Sequence, residues 1–332
     1  DLIQVEKPKK SEYREIENKA ITEIVERLQA MARQAISDNY TISSNKVTQA
    51  MIDEAQDVLT SLLNATKIEE FNNILLKLFM VIPRKMGNVQ DYLADSSKDF
   101  SKIIQKEQDL LDVMKGQVVQ KQVIEKSEVE DDNKSENTIL EQLGLVFEEC
   151  DQKDIAIIKD ALGSCSDRFH KAWRVKNLKT QKRFDEFVKE NNIIDTKLLF
   201  HGSRNENWWS IINSGLVLKP TNAVITGKMF GYGIYYAPKA RKSLGYTSLD
   251  GSYWVRGNSR FGFMALMNVA YGKPYDVYSF DSKYYNFDYY KLQNACPGAN
   301  CLHAHAGSML RNDEIIVYKE EQCTIKYLIE LR

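Results

Sequence analysis

The sequence predicts two successive folds, an all-α helical bundle and then an α+β domain with antiparallel sheets. From about residue 12 to residue 126, glycines are scarce and apolar residues recur three and four positions apart, the repeat that lines one face of a helix. Residues 117–137, QVVQKQVIEKSEVEDDNKSEN, are polar and charged and read as a linker. Beyond 138 the chain turns to short aromatic and β-branched runs punctuated by glycine, the pattern of strands and turns.

In the first half, VTQAMIDEAQDVLTSLLN puts Val47, Met51, Ala55, Val58, Leu59, Leu62 and Leu63 on one face, with Ser43, Ser44 or Asn45 available to cap its start. IEEFNNILLKLFMVIP repeats the logic with Ile68, Phe71, Ile74, Leu75, Leu78 and Phe79. Pro83 ends that helix, because proline lacks the amide and crowds the preceding turn. KDFSKIIQKEQDLLDVMKG is a third helix, expected to stop near Gly116. Short loops between such helices imply an antiparallel bundle over about 12–136. It contains no His and no Cys, and nothing in it resembles a set of convergent catalytic groups, so a structural or regulatory role is expected. Residues 1–11 read as a tail left from a longer chain, since Asp1 stands where a Met would start one.

In the second half, about 138–332, ILEQLGLVFEEC and KTQKRFDEFVKENN read as helices. KLLFHGS, YGIYYA, FGFMALMNVAYG, YDVYSF, DEIIVYKEEQ and TIKYLIEL read as strands. Too few helices intervene for a doubly wound parallel sheet, which leaves antiparallel α+β.

At 332 residues with 43% hydrophobic content the chain can bury two cores. A net charge of −1 excludes a global field that would recruit nucleic acid. The basic run from Arg168 to Arg183, with Trp173 inside it, is followed closely by acids and reads as a solvated face. No apolar run approaches the roughly 18–20 residues of a membrane span. Five scattered cysteines argue against a disulfide framework and for a reducing, intracellular setting.

The chemistry gathers around residues 231–246, GYGIYYAPKARKSLGY. Gly231-x-Gly233 starts like a dinucleotide fingerprint, but Tyr236 stands where the third glycine belongs and Ala237-Pro238 opens no helix, so that reading fails. On a strand Tyr235 and Tyr236 face opposite sides, one toward the core and one toward a cleft. Ser243 and Tyr246, three apart, share one side of a helical turn. A flat heteroaromatic ligand could stack between Tyr235 and Tyr246 with Ser243 at its rim; plain strand packing is the alternative this segment leaves open. In LLFHGSRNENWW, His201 closes an apolar strand and Gly202 and Ser203 expose backbone where a ligand can approach. In RNDEIIVYKEEQ, alternation lets only one of Asp313 and Glu314 enter a cleft. One carboxylate there suits stabilising the positive charge of a glycosyl-transfer transition state; a solvated surface pair is the plain alternative.

Together LLFHGSRNENW, GKMFGYGIYYAPKARKSLGY and NDEIIVY, in that order, strongly resemble the catalytic domain of the poly(ADP-ribose) polymerases in their DNA-damage-activated branch. LLKLFMVIPRKMG is similar, more loosely, to a helix end of that branch's autoregulatory helical domain. The resemblance implies an autoinhibitory helical domain at 12–136 and an ADP-ribosyltransferase fold at 138–332, with NAD+ as substrate and no metal. His201 would bond the adenosine-side ribose, Gly202 and Ser243 would clamp the nicotinamide carboxamide, and Tyr246 and Tyr235 would wall the ring. Ser203 and Asn207 would lie toward the adenosine half. Glu314 would bind the nicotinamide ribose, stabilise the cationic sugar and activate the acceptor, with Lys242 beside it. The catalytic set His201, Tyr235 and Glu314 resembles the polymer-building version of the family. Gly215 to about Gly231 would be a lid over the donor.

The sequence departs from the family at Val217, where relatives often carry an arginine that Lys219 could replace, at Lys228, where an aromatic is usual, and in SMLRND before Glu314. CPGANCLHAH offers a rival, zinc-like set in Cys296, Cys301, His303 and His305, though C-x4-C-x-H-x-H is not a common finger.

The implied activity is transfer of ADP-ribose to acceptor proteins, the chain itself included, and onward to earlier units, in the response to DNA damage. A mono-transferase, an NAD glycosylase and an inactive scaffold or reader that keeps the nicotinamide cleft are the alternatives. Expected partners are NAD+, acceptor proteins and nicotinamide-mimicking inhibitors, with DNA reached only through upstream domains and no membrane. The expected place is the nucleus of a eukaryote, or the cytoplasm or nucleoid of a bacterium.

Overall fold

The computed structural model describes residues 13–130, 136–219, 221, 229–252 and 257–332, and of 127–130 the backbone alone. The tail at 1–11, position 228 and part of the expected lid lie outside the described residues.

The first half is helical as expected. α1 (Lys19–Asn39) starts where the Asn18 side chain accepts from the Ala20 and Ile21 amides, and it buries Ile21, Ile24, Val25, Leu28, Ala32 and Ile36. Each fully buried isoleucine or leucine contributes about 1.5–3 kcal/mol. α2 (Gln49–Ser61) is capped by Thr48, whose side chain accepts from the Met51 amide. The expected cap residues Ser43, Ser44 and Asn45 instead form a separate short turn. α3 (Ile68–Val81) buries Phe71, Leu75, Leu78 and Phe79 and stops two residues before Pro83, as the missing amide requires.

The third helix corrects the sequence reading. α4 runs Phe100–Glu130, through Gly116 and most of the expected linker. A glycine in a helix costs about 1 kcal/mol relative to alanine, yet this one has a packing reason: a Cβ at Gly116 would lie 2.9 Å from the Ser210 hydroxyl. Beyond it the Gln, Lys and Glu residues are good helix formers, and Val118 and Val123 join the core.

The second half holds two sheets, ordered β1-β2-β9-β5-β3 and β4-β8-β7-β6. ILEQLGLVFEEC splits: α5 (Ile139–Leu143) ends at Gly144, whose φ of 69° only glycine adopts cheaply, and β1 (Leu145–Glu149) follows as a strand. Next come α6 (Gln152–Leu162), β2 (Phe169–Asn177), α7 (Leu178–Glu190), β3 (Lys197–Ser203), α8 (Trp208–Ser214) and β4 (Ile234–Tyr236). The chain then runs through α9 (Ala240–Leu244), β5 (Gly262–Val269), β6 (Pro274–Val277), α10 (Tyr289–Ala295), β7 (Cys301–Ala304), β8 (Glu314–Val317) and β9 (Cys323–Leu331). Among these strands the pairings are antiparallel except β6 with β7. In β9 eight of nine residues are buried, because helices and the bundle cover it. The basic run is spent structurally: Arg174 pairs with Glu148 and Asp154, and Arg183 with Glu320.

One apolar cluster runs continuously from α1 to α4 into Trp208, Trp209, Phe263 and Leu328 of the second half. Across this boundary the Trp209 indole donates to Gln120 at 2.8 Å, the Ser210 hydroxyl to the Asp112 carbonyl at 2.9 Å, and Arg27 pairs with buried Glu330 at 2.7 Å. No helix among the described residues is long and apolar enough to cross a membrane.

Candidate active site

Between the two sheets and α4 lies a cavity of about 200 Å³. His201, Gly202, Ser203 and Asn207 line it from the end of β3 and the turn beyond. Tyr235 enters from β4, Lys242, Ser243 and Tyr246 from α9 and its exit, and Glu314 from the first position of β8. Each residue that the sequence nominated therefore borders one space.

Local pairing explains the convergence. The Phe200 amide donates to the Ala237 carbonyl at 2.8 Å and the Ala237 amide returns a bond at 3.1 Å, stitching β3 of one sheet to the residue after β4 of the other. Just beyond that stitch, a Cβ on Gly202 would sit 2.1 Å from the Ser243 carbonyl oxygen. Only glycine allows these two backbones to close on each other. Ser243 is buried, and its carbonyl accepts from the Tyr246 amide at 3.0 Å in the turn that aims Tyr246 at the cavity. The Tyr235 hydroxyl donates to the Gly231 carbonyl at 3.0 Å and accepts from the Phe230 amide at 3.2 Å, which fixes its ring. Tyr236 points the other way and is buried in the core, as alternation requires.

Electrostatics divide the cavity into neutral and charged parts. Desolvation pulls His201 down to about 4, with a hydrogen bond to the Tyr235 backbone partly opposing it, so the imidazole is neutral at physiological pH. It offers one donor and one acceptor nitrogen between the edges of Trp208 and Tyr236. Tyr246 is pushed up to about 12, first by burial and then by the negative charge of Glu314. Glu314 itself is buried and forms an ion pair with Lys242. Asp313, the preceding residue, turns outward to the His303 ring at 2.8 Å. Only one carboxylate of the pair enters, as alternation predicts. On the opposite flank the Asn207 side-chain amide donates to the Ser203 hydroxyl at 3.0 Å.

Some of the lining was not foreseen. Gln105, Gln108, Asp109 and Asp112 of α4 border the same cavity. They stand 3, 4 and 7 residues after the first, a polar stripe on the face where a bundle helix is ordinarily apolar. That stripe was the available signal. Burial, reinforced by neighbouring Asp112, pushes the Asp109 carboxyl up to about 7, against the pull of Arg204. Asp112 pairs with Lys219, in the segment expected to be a lid, and Thr221 donates to Gln108 at 3.0 Å. Lys219, the expected substitute for a missing arginine, is thus held by the bundle, while Val217 faces the cavity.

An aromatic-walled slot with a neutral imidazole, a tight backbone end and one buried carboxylate can seat a flat heteroaromatic ring and oppose a nearby developing cation. Residues 153–295 match the family model of the poly(ADP-ribose) polymerase catalytic domain. That span contains His201, Tyr235 and Lys242 through Tyr246 and ends before Glu314, which the fold brings to the site through β8. The putative poly [ADP-ribose] polymerase-like 100L of Invertebrate iridescent virus 6 is 30% identical over 187 residues, 56% of this chain and 97% of that protein. Poly [ADP-ribose] polymerase 1 of Oryza sativa subsp. japonica is 33% identical over 133 residues, covering 38% of this chain and 13% of that protein. Poly [ADP-ribose] polymerase 2 of Zea mays is 26% identical over 213 residues, covering 55% and 31%. The chain spans almost all of the viral relative and less than a third of each plant protein. Similarity over a relative's whole length, on a fold that gathers these side chains into one cleft, means that the chain belongs to the poly(ADP-ribose) polymerase family of NAD+ ADP-ribosyltransferases.

Proposed function

We propose that the chain builds poly(ADP-ribose) on acceptor proteins and on itself, with Glu314 as the catalytic carboxylate. The observation that carries this reading is Glu314 buried against Lys242 in the cavity that Gly202 and Ser243 close. His201 would bond the adenosine-side ribose, Ser203 and Asn207 would face the adenosine half, and Tyr235 and Tyr246 would hold the nicotinamide ring between them. Gly202 and Ser243 would take its carboxamide. The bond from ribose to nicotinamide breaks with its electron pair leaving on nicotinamide, and the acceptor oxygen then bonds the ribose. The acceptor's proton passes to solvent by way of Glu314, whose charge opposes the cation on the sugar. Incubation with labelled NAD+ tests this: a ladder of labelled protein is expected. A single sharp band would mark a mono-transferase, free ADP-ribose a glycosylase and no turnover a scaffold.

The helical half we read as an inhibitory cover, because Gln105, Gln108, Asp109 and Asp112 take up the wall that the adenosine side of NAD+ would need. The setting we propose is the DNA-damage response, in a nucleus or a bacterial nucleoid, supported by the likeness to that branch of the family. DNA would act through domains other than these two.

A further inference from the structure

On the far side of Glu314 from the cleft, four potential metal ligands converge from three elements. Pairing of β6 with β7 is parallel and sets Asp276 beside His303, and the His305 amide continues it by donating to the Val277 carbonyl at 2.8 Å. His303 and His305, two apart on an extended chain, present their rings on one face, parallel and 4.0 Å between centroids. Asp276 Oδ1 lies 2.7 Å from His305 Nε2. Asp313 Oδ2 lies 2.8 Å from His303 Nε2 and 3.8 Å from His305 Nδ1.

We propose that Asp276, His303, His305 and Asp313 form a site for a divalent transition metal of the zinc class, clipping β6 and β7 to the residue that precedes Glu314. One ligand atom each from Asp276, His303 and His305 lie within 4.8 Å of one another. Zinc bonds of about 2.0–2.2 Å place tetrahedral ligands roughly 3.3 Å apart. Asp276 and His305 keep 42% and 25% of their side-chain surface exposed, so they are free to close that gap, one imidazole turning about its Cβ–Cγ bond to meet the ion. The supports for the ligands are in place. The Tyr271 hydroxyl sits 2.8 Å from His303 Nδ1, which leaves Nε2 as the ligand nitrogen and holds the ring in that orientation. Asp313 Oδ1 accepts from the Ala306 amide at 2.7 Å, turning Oδ2 toward the two rings. Two imidazoles and two carboxylates suit zinc and its neighbours better than calcium or magnesium, which favour oxygen alone. The set differs from the thiol-containing one suggested by the spacing of CPGANCLHAH. Cys301 is fully buried, and Cys296 and Cys301 fall outside the cluster of Asp276, His303 and His305; Asp313 lies outside that cluster too and joins it through its contacts with both imidazoles. Nothing in this site depends on the reaction proposed above.

The test uses the whole chain, stripped with chelator and titrated with zinc by calorimetry, then with cobalt by visible spectroscopy. One equivalent of zinc is expected, with His305→Ala and Asp276→Asn each weakening binding by about 100-fold or more, the upper range for loss of a mere supporting partner. Both replaced residues are partly exposed, so the variants keep the fold. Cobalt should give tetrahedral d–d bands with no thiolate charge-transfer band, and zinc should raise the wild-type melting temperature but not that of either variant. Absence of stoichiometric uptake would overturn the proposal, as would undiminished binding in both variants or a thiolate band with cobalt.

Discussion

Glu314 and Lys242 form an ion pair at the wall of the cleft, with both side chains largely withdrawn from solvent. A charge held this way is preorganised: it needs no rearrangement when positive charge develops beside it. Replacing Glu314 by Gln should cut automodification by about 10²–10³-fold, the usual cost of losing one such group. Binding of a nicotinamide-like inhibitor, followed by calorimetry, should remain nearly unchanged, since Gly202, Ser243 and the tyrosines stay in place. Loss of both would show that Glu314 holds the cleft together instead of acting on the ribose.

Lys242 has its own consequence. Without its ammonium the buried Glu314 carboxylate loses its ion-pair partner, so Lys242→Met should destabilise the fold by up to about 3–5 kcal/mol. The melting temperatures of both proteins give the reading; an unchanged value would remove this ion pair from the account.

Gly202 tests the tight end of the slot. A methyl group there would lie 2.1 Å from a backbone oxygen, which no side-chain rotation can relieve. Gly202→Ala should cost about 1–3 kcal/mol or more, as overpacking does, and weaken inhibitor binding. An unaltered melting temperature and affinity would mean that β3 and α9 are not as closely apposed as described.

Much of this arrangement is written in the sequence, and the reasons for the exceptions are physical. Glu314 and Asp313 could be assigned opposite sides because alternation along a strand is strict. The cleft residues could be named because LLFHGSRNENW, GKMFGYGIYYAPKARKSLGY and NDEIIVY together resemble one family's motifs; the spacing of glycine and tyrosine alone left strand packing open. The length of α4 was hidden because Gly116 looks like a helix stop, and only its contact with Ser210, nearly a hundred residues later, explains a glycine there. β1 was hidden because LVFEE sits directly behind a helical turn, with Gly144 as the sole break. The α4 stripe at Gln105, Gln108, Asp109 and Asp112 is legible as a polar break in a helix face, but what it lines is legible only once the second half is known to pack against it.

Asp109 makes α4 docking sensitive to pH. With the carboxyl raised to about 7 among Asp112, Arg204, Glu206 and Asn207, the docked state holds a proton that an undocked one releases above an ordinary aspartate value of about 4. Its contribution to docking is complete below that value and is lost as pH rises through about 7. Basal activity of the wild type relative to Asp109→Asn, which cannot ionise, should therefore climb between roughly pH 4 and 7 and level off above that. A ratio independent of pH would dismiss this role for Asp109.

Gly116 offers a structural lever on the same contact. Gly116→Val would press against Ser210 and lift α4 from α8, and basal NAD+ turnover should rise several-fold if the bundle is inhibitory. An unchanged or lower rate in a folded variant would count against inhibition.

The most direct measurement is the product pattern from labelled NAD+ for the wild type and Glu314→Gln side by side. The account predicts a ladder of labelled protein with released nicotinamide for the wild type, and neither polymer nor comparable nicotinamide release for the variant. A ladder that survives the substitution would contradict it.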